Sequence, residues 1–333
     1  MKRTFKSLVI NKNEDGTYRT SIETRNINQL PKNDLLIKVL YSSLNFKDAL
    51  SMIGNKGVTK SYPHTPGIDA VGIVISSKKF PRGSIVIVSG YDLGMNTHGG
   101  FSEFIRVPEK WAVLKPKSLD TKESMILGTA GLTAGLCIDA FLERDNIENK
   151  NAIVSGATGG VGSIAVKLLS TLGVNVTAIT GKEDSHDFLK KLGAKYIINR
   201  KVFLDSSNSP LGKGYWDFAL DVAGGKTLSK ILKGMNYGGI ITCCGLVDNP
   251  KFESTVYPFI LRANQLIGID SAEAPLEKKE KIWKLFSTKW KLNRIEELAK
   301  VISFDNLNNE CNKILKGQLM GRAVLKLDKK LKD

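Results

Sequence analysis

Residues 151–173, NAIVSGATGGVGSIAVKLLSTLG, constrain the fold more than any other part of the chain. The apolar run Ala152–Val154 is of β type and leads into a glycine-rich turn. The turn opens into a segment whose apolar residues Val161, Ala165, Leu168, Leu169 and Leu172 recur at helical spacing. A strand, a glycine turn and a helix N-terminus make a cradle for a pyrophosphate. Backbone N–H groups and the positive helix end face the anion, and glycines let the backbone come close. The first glycine of the usual G-x-G-x-x-G pattern is Ala157 here, leaving A-T-G-G-V-G with Gly159, Gly160 and Gly162. An ordinary strand-to-helix turn can carry such a pattern, so the rest of the chain has to decide.

A chain of 333 residues is too long for one simple core, and two domains are expected. Residues 1–124 read as β-rich, with strands over Leu35–Leu40, Gly67–Ile75 and Ser84–Ser89. Turn clusters at Tyr62–Gly67, Pro81–Gly83 and Thr97–Gly100 separate them and predict a small barrel-like domain. Residues 122–142 read as helical. From Asn151 the pattern alternates between β and α. Strands are expected over 151–155, 174–180, Tyr196–Asn199, Phe218–Val222, Gly239–Gly245 and Leu266–Asp270, with a helix such as Thr227–Met235 between two of them. Six short strands with crossover helices predict a doubly wound parallel sheet of order 3-2-1-4-5-6. After Ser271 the chain is polar and lysine-rich, then returns to an apolar strand at Arg322–Leu327. The expected division is 1–124 together with 273–333, and 125–272.

Hydrophobic content of 42% and charged content of 25% suit a soluble globular protein, and no run of eighteen apolar residues predicts a membrane span. The N-terminus reads as a first strand rather than a secretion signal. Cys137, Cys243, Cys244 and Cys311 form no C-x-x-C pair and no zinc-ligand spacing. Cys243 and Cys244, in an apolar run, read as buried thiols, and a reducing, cytoplasmic setting is expected. The net charge of +16 admits three readings: solvated lysines, a basic rim for phosphorylated ligands, or a nucleic-acid or anionic surface. Lysines scattered among acids argue against a dedicated basic arm.

The end of the second strand of this sheet decides the cofactor. NAD enzymes usually carry Asp or Glu there to accept from the ribose 2′-OH. This chain has Thr180-Gly181-Lys182, with Ser185 close behind and Arg200 at the end of the third strand. A cation with small hydroxyls attracts a 2′-phosphate, so NADPH is expected. A solvated loop lysine is the alternative, since Glu183 and Asp184 are adjacent.

The blocks SSLNFKDAL (42–50), PGIDAVG (66–72), GTAGLTA (128–134), GATGGVGS (156–163) and MNYGGIITCCGL (235–246) occur in this order. Together they resemble the zinc-free medium-chain dehydrogenase/reductases, in particular the YhdH/AcuI/YhfP group of quinone oxidoreductase-like proteins and acryloyl-CoA reductases. The resemblance implies a GroES-like catalytic domain, a Rossmann domain and a returning C-terminal segment. Zinc-dependent cousins carry G-H-E where this chain has Gly67-Ile68-Asp69, and no metal is expected. The resemblance places Thr158, Gly159, Gly160 and Val161 in the phosphate turn and Thr180, Gly181 and Lys182 at the 2′-phosphate. It places Arg200 on the adenosine side, and Leu246, Ile260 and Ser271 near the nicotinamide half. Relatives often have tyrosine where Phe46 stands, and phenylalanine has no proton to give. The resemblance also favours a homodimer.

The chemistry expected is hydride transfer from NADPH to the β-carbon of an activated alkene, with donors aimed at the carbonyl oxygen that gathers charge. A short 2-enoyl-CoA such as acryloyl-CoA is the first substrate reading, a quinone or small enone the second. A protein that binds NADPH and nucleic acid without turnover is a reading of another class. Asn45 is the candidate for orienting substrate or nicotinamide ribose, or else satisfies turn backbone. Tyr41 is the candidate to replace the hydroxyl that Phe46 lacks, and Thr129 either meets the nicotinamide or carbonyl or caps a helix. Lys47 and Asp48 read as an ion pair holding this segment. Arg322 either anchors the last strand or meets a CoA phosphate.

Overall fold

The computed structural model describes residues 4–206 and 209–328. The chain divides into two compact units, Met1–Leu132 with Ser271–Asp333, and Thr133–Asp270. In chain order the first unit begins with β1 (Thr4–Lys12), β2 (Tyr18–Asn26), β3 (Leu35–Ser43), α1 (Phe46–Met52), β4 (Asp69–Ser76), β5 (Ile85–Ser89), β6 (Phe104–Val107) and β7 (Ala112–Leu114). Helix α2 spans Thr121–Leu142 but is broken at Gly128, whose φ of 49° and ψ of −152° are not helical. The expected single helix over 122–142 is therefore two segments. By length and composition α2 could cross a bilayer, yet most of it is buried in protein.

The second unit holds β8 (Asn151–Val154), α3 (Gly160–Thr171), β9 (Asn175–Thr180), α4 (His186–Lys191), β10 (Tyr196–Asn199), α5 (Arg200–Asp205), β11 (Trp216–Asp221), α6 (Gly225–Lys233), β12 (Met235–Cys243), α7 (Tyr257–Arg262) and β13 (Gln265–Gly268). Its sheet runs β10-β9-β8-β11-β12-β13, parallel throughout, which is the 3-2-1-4-5-6 order expected from the sequence. Ile153, Ile179, Ala219 and Ile241 from four strands pack on Leu228 and Ile231 of α6. Met235 belongs to β12, so the helix expected over Thr227–Met235 ends two residues earlier, at Lys233.

The chain then adds α8 (Leu276–Phe286), β14 (Ala299–Ile302), α9 (Leu307–Leu315) and β15 (Arg322–Lys326) to the first unit. Its main sheet runs β14-β15-β3-β4-β5-β7, with β6 also paired to β3. The final strand thus rejoins the first unit, antiparallel to β3. Leu35, Ile37 and Val39 of β3, Val86 and Val88 of β5, and Ala323 and Leu325 of β15 share one core. Burying each such large side chain contributes about 1.5–3 kcal/mol.

Candidate functional site

In the second unit the turn after β8 leads into α3, capped only by Gly159, whose backbone is extended and which offers no side-chain hydrogen bond. The first N–H groups of a twelve-residue helix are therefore left for an acceptor from outside. A Cβ on Gly162 would lie 2.2 Å from the carbonyl oxygen of Gly156, so only glycine lets α3 pack this close to the turn. A Cβ on Gly159 would meet only that same oxygen, at 3.3 Å, so its other side is open. Thr158 is buried, while Gly159, Gly160 and Val161 are half-buried. The turn lies at the carboxyl end of β8 beside β11, where the strand order reverses.

On the neighbouring strand, Thr180 ends β9. Its Oγ1 accepts the Lys182 backbone N–H at 3.0 Å and lies 3.2 Å from Ser185 Oγ. Ser185 Oγ donates to the Lys182 carbonyl at 2.6 Å, so this hydroxyl shapes the turn. The Lys182 ammonium is half-buried, and desolvation lowers its pKa, with Asp184 opposing. Arg200 lies across the turn, its guanidinium 3.1 Å from where a Cβ on Gly181 would sit. Two cations thus flank Gly181, and the strand end carries no carboxylate. The uncapped helix and this cationic turn fit a dinucleotide with a phosphate on its adenosine ribose.

The end of β11 adds a feature that the sequence reading missed. Asp221 is fully buried. It accepts from Ser155 Oγ at 2.6 Å and from the Gly224 N–H at 2.8 Å, tying the turn after β8 to the turn after β11. Burial raises its pKa. Cys244 Sγ lies 3.4 Å from the Asp221 carbonyl. Cys243 and Cys244 are half-buried at the open end of β12, which corrects the expectation of two buried strand thiols. Leu246 and Ile260 are 56% and 69% exposed in the same unit.

In the first unit a buried polar network centres on Asp69, at the start of β4. One carboxylate oxygen accepts from Ser43 Oγ at 2.6 Å and Asn45 Nδ2 at 2.8 Å, and the other from Thr129 Oγ1 at 2.7 Å. The Thr129 backbone N–H donates to both oxygens, at 3.0 and 2.9 Å. Asn45 Oδ1 accepts from Arg322 Nη2 at 3.2 Å, and the same guanidinium donates to the carbonyls of Ile126 and Leu44. Gly128 makes this possible, because a Cβ there would meet Ser43 Oγ at 2.5 Å and Asp69 at 2.7 Å. Asn45 and Thr129, two residues singled out from sequence, are thus brought together by a third that was not. Arg322 is buried and anchors the last strand.

Asp48 is also fully buried. It accepts the N–H groups of Asn45, Gly67 and Ile68 at 2.8–2.9 Å, boxing the start of α1 and fixing the loop before β4. It makes no ion pair with Lys47, so that expectation is corrected: the backbone donors satisfy the carboxylate instead. Burial, with Asp69 nearby, pushes Asp48 up to about 7 despite those donors. Tyr41 is buried in β3, Phe46 is half-buried at the first turn of α1, and Ser271 is half-buried where the chain re-enters this unit. His98 stacks on His64 with ring centroids 5.9 Å apart. Arg25 Nη1 lies 3.3 Å from His98 Nδ1, and burial pulls His98 down to about 4. Among the described residues no group of three or more His, Cys, Asp or Glu gathers as a metal site.

Comparison with known proteins agrees with this architecture. Residues 31–117 match the alcohol dehydrogenase GroES-like domain, and residues 160–288 match the zinc-binding dehydrogenase family. The chain is 39% identical to "Probable acrylyl-CoA reductase AcuI" of Escherichia coli strain K12, over 95% of this chain and 98% of that one. It is 38% identical to "Putative quinone oxidoreductase YhfP" of Bacillus subtilis, over 98% and 100%. The crystal structure of yhfP with NAD bound superimposes with a TM-score of 0.94, at 37% identity, covering 97% of this chain and 99% of that one. The yhdH oxidoreductase of Salmonella enterica in complex with NADP gives 0.93 at 37% identity, covering 97% and 100%. The chain belongs to the medium-chain dehydrogenase/reductase family, in the group that holds AcuI, YhdH and YhfP.

Proposed function

We propose that this chain is an NADPH-dependent reductase of activated carbon–carbon double bonds, with a short 2-enoyl-CoA such as acryloyl-CoA as substrate. One observation carries the cofactor reading: Lys182 and Arg200 flank Gly181 at a strand end without a carboxylate. The relative named for acrylyl-CoA reduction supports the substrate class. When bound, the reduced dinucleotide supplies a hydride. The residues of this chain bind and orient. The α3 N-terminus with Gly159, Gly160 and Val161 meets the pyrophosphate, and Thr180, Ser185 and Lys182 shape the 2′-phosphate turn. The Asp69 network holds Asn45 and Thr129 in single orientations. Phe46 contributes an aromatic face and no proton, so the proton that completes the saturation comes from water.

The name of the Bacillus relative favours a second reading, reduction of a quinone at the same site. Steady-state NADPH consumption with acryloyl-CoA, crotonyl-CoA and 1,4-benzoquinone at matched concentrations separates the two. A strong preference for the CoA esters is expected; turnover with the quinone alone removes the first reading.

The chain reads further as a cytoplasmic homodimer. Val256, Tyr257, Ile260 and Leu261 on and beside α7 are 44–69% exposed, and β13 is an edge strand. Such a patch next to open backbone groups suits a second copy of the same surface. Light scattering at micromolar concentration should give twice the chain mass, and Ile260→Asp should give the single-chain mass.

A further inference from the structure

Ser89 ends β5 and is 3% exposed, yet its Oγ has no hydrogen-bond partner. A buried hydroxyl left unpaired costs free energy, and native proteins rarely carry one without a use for it. Its position is informative. In the antiparallel pair of β4 and β5, Ser89 stands directly opposite Asp69. Directly paired residues project from the same face with Cβ atoms about 5 Å apart. The hydroxyl therefore sits beside the Asp69 network without joining it.

The reason is saturation. The two oxygens of Asp69 already accept from Ser43, Asn45 and both donors of Thr129. No strong acceptor site remains for the Ser89 proton. A buried cation also holds the Ser89 backbone. The buried Lys279 Nζ donates to the Ser89 carbonyl at 2.9 Å and to the Ala272 carbonyl at 2.7 Å. A donor without an internal acceptor, on a residue whose carbonyl holds a buried ammonium, suits an oxygen that becomes anionic during a reaction. The adjoining backbone is also unusual: Gly90 and Tyr91 hold φ of 74° and 52°. A bulky residue in this region stores strain, which clusters at functional sites.

We propose that Ser89 Oγ–H is the donor to the substrate carbonyl oxygen as that oxygen takes on enolate charge. This rests on the reductase reading above. Hydride arriving at the β-carbon moves the alkene electron pair toward the carbonyl oxygen. Ser89 donates a hydrogen bond to that oxygen and keeps its proton. A proton from water then adds to the α-carbon and restores the carbonyl. The hydroxyl is 3% exposed in this conformation, so the assignment requires it to become accessible when substrate binds.

The test compares wild type, Ser89→Ala and Ser89→Cys, using NADPH with acryloyl-CoA and with 1,4-benzoquinone. Ser89→Ala should lower kcat by about a hundredfold, the usual loss for one oxyanion donor. KM and NADPH affinity should be nearly unchanged, and Ser89→Cys, with its weak S–H donor, should fall between. The melting temperature of Ser89→Ala should hold or rise, because no internal hydrogen bond is lost. An active wild type with unaltered kcat in Ser89→Ala overturns this assignment alone. So does a lowered melting temperature with unaltered kcat, which would mean that a buried water partners the hydroxyl. A wild type that binds NADPH and reduces neither substrate overturns the reductase reading and this assignment with it.

Discussion

Asn45 donates to Asp69 at 2.8 Å while the oxygen of the same amide accepts from Arg322 at 3.2 Å. The side chain is thereby a bridge between a buried carboxylate and a buried guanidinium, and the two charges fix which way the amide faces. Neither charge is viable in the interior without the other. Burial lowers the Arg322 pKa, and Asp69 and Asp48 oppose that shift.

Asp69→Ala removes the countercharge and strands four donors. Breaking a buried charged pair costs about 3–5 kcal/mol. Urea unfolding should show a loss of that size, with Asn45→Ala costing less because both charges remain. A variant within experimental error of wild type would mean that the network contributes nothing to stability.

Asp48 sets a pH dependence. Its ordinary value is 3.8 and its folded value about 7, so the folded state holds this proton more tightly than the unfolded chain does. Stability from this group is full below the lower value and lost as pH rises through the upper one. Unfolding free energy from Asp48 should therefore decline between about pH 4 and pH 7 and then level off. Denaturant titrations at several pH values, with Asp48→Asn as the control whose slope over this window is flatter, measure it. A wild-type slope identical to that of the variant would refute the shift.

Lys182 discriminates between dinucleotides. A hydrogen bond to a charged group contributes about 1.5–3 kcal/mol, or roughly tenfold to more than a hundredfold in affinity. Lys182→Glu should weaken NADPH by at least that factor while NADH changes little, as read by cofactor fluorescence titration. Equal losses for both cofactors would take the 2′-phosphate away from this residue.

Much of the architecture is legible in the residues. Alternating apolar runs and turns locate all six strands of the parallel sheet, and the doubly wound pattern that goes with the glycine turn predicts their order. The phosphate turn is legible because its chemistry is local: strand, glycines, helix start. The Asp69 network is not, because its members come from β3, the turn into α1, β4, α2 and β15 and meet only in the fold. From sequence, Asp69 shows only as a departure from G-H-E, and Gly128 as one small residue among several. Helix α8 was hidden by its lysines, although Ile282, Trp283 and Phe286 are buried at one-and-four spacing that a periodicity search finds. Ser89 reads as an unremarkable strand end until its register against Asp69 is known.

The central claim is that a phosphorylated dinucleotide binds between the α3 N-terminus and the cations at Gly181. Isothermal calorimetry of the purified protein titrated with NADPH, and separately with NADH, tests it most directly. The account predicts saturable NADPH binding at one site per chain and markedly weaker NADH binding. No heat with NADPH, or NADH bound as tightly, would contradict it.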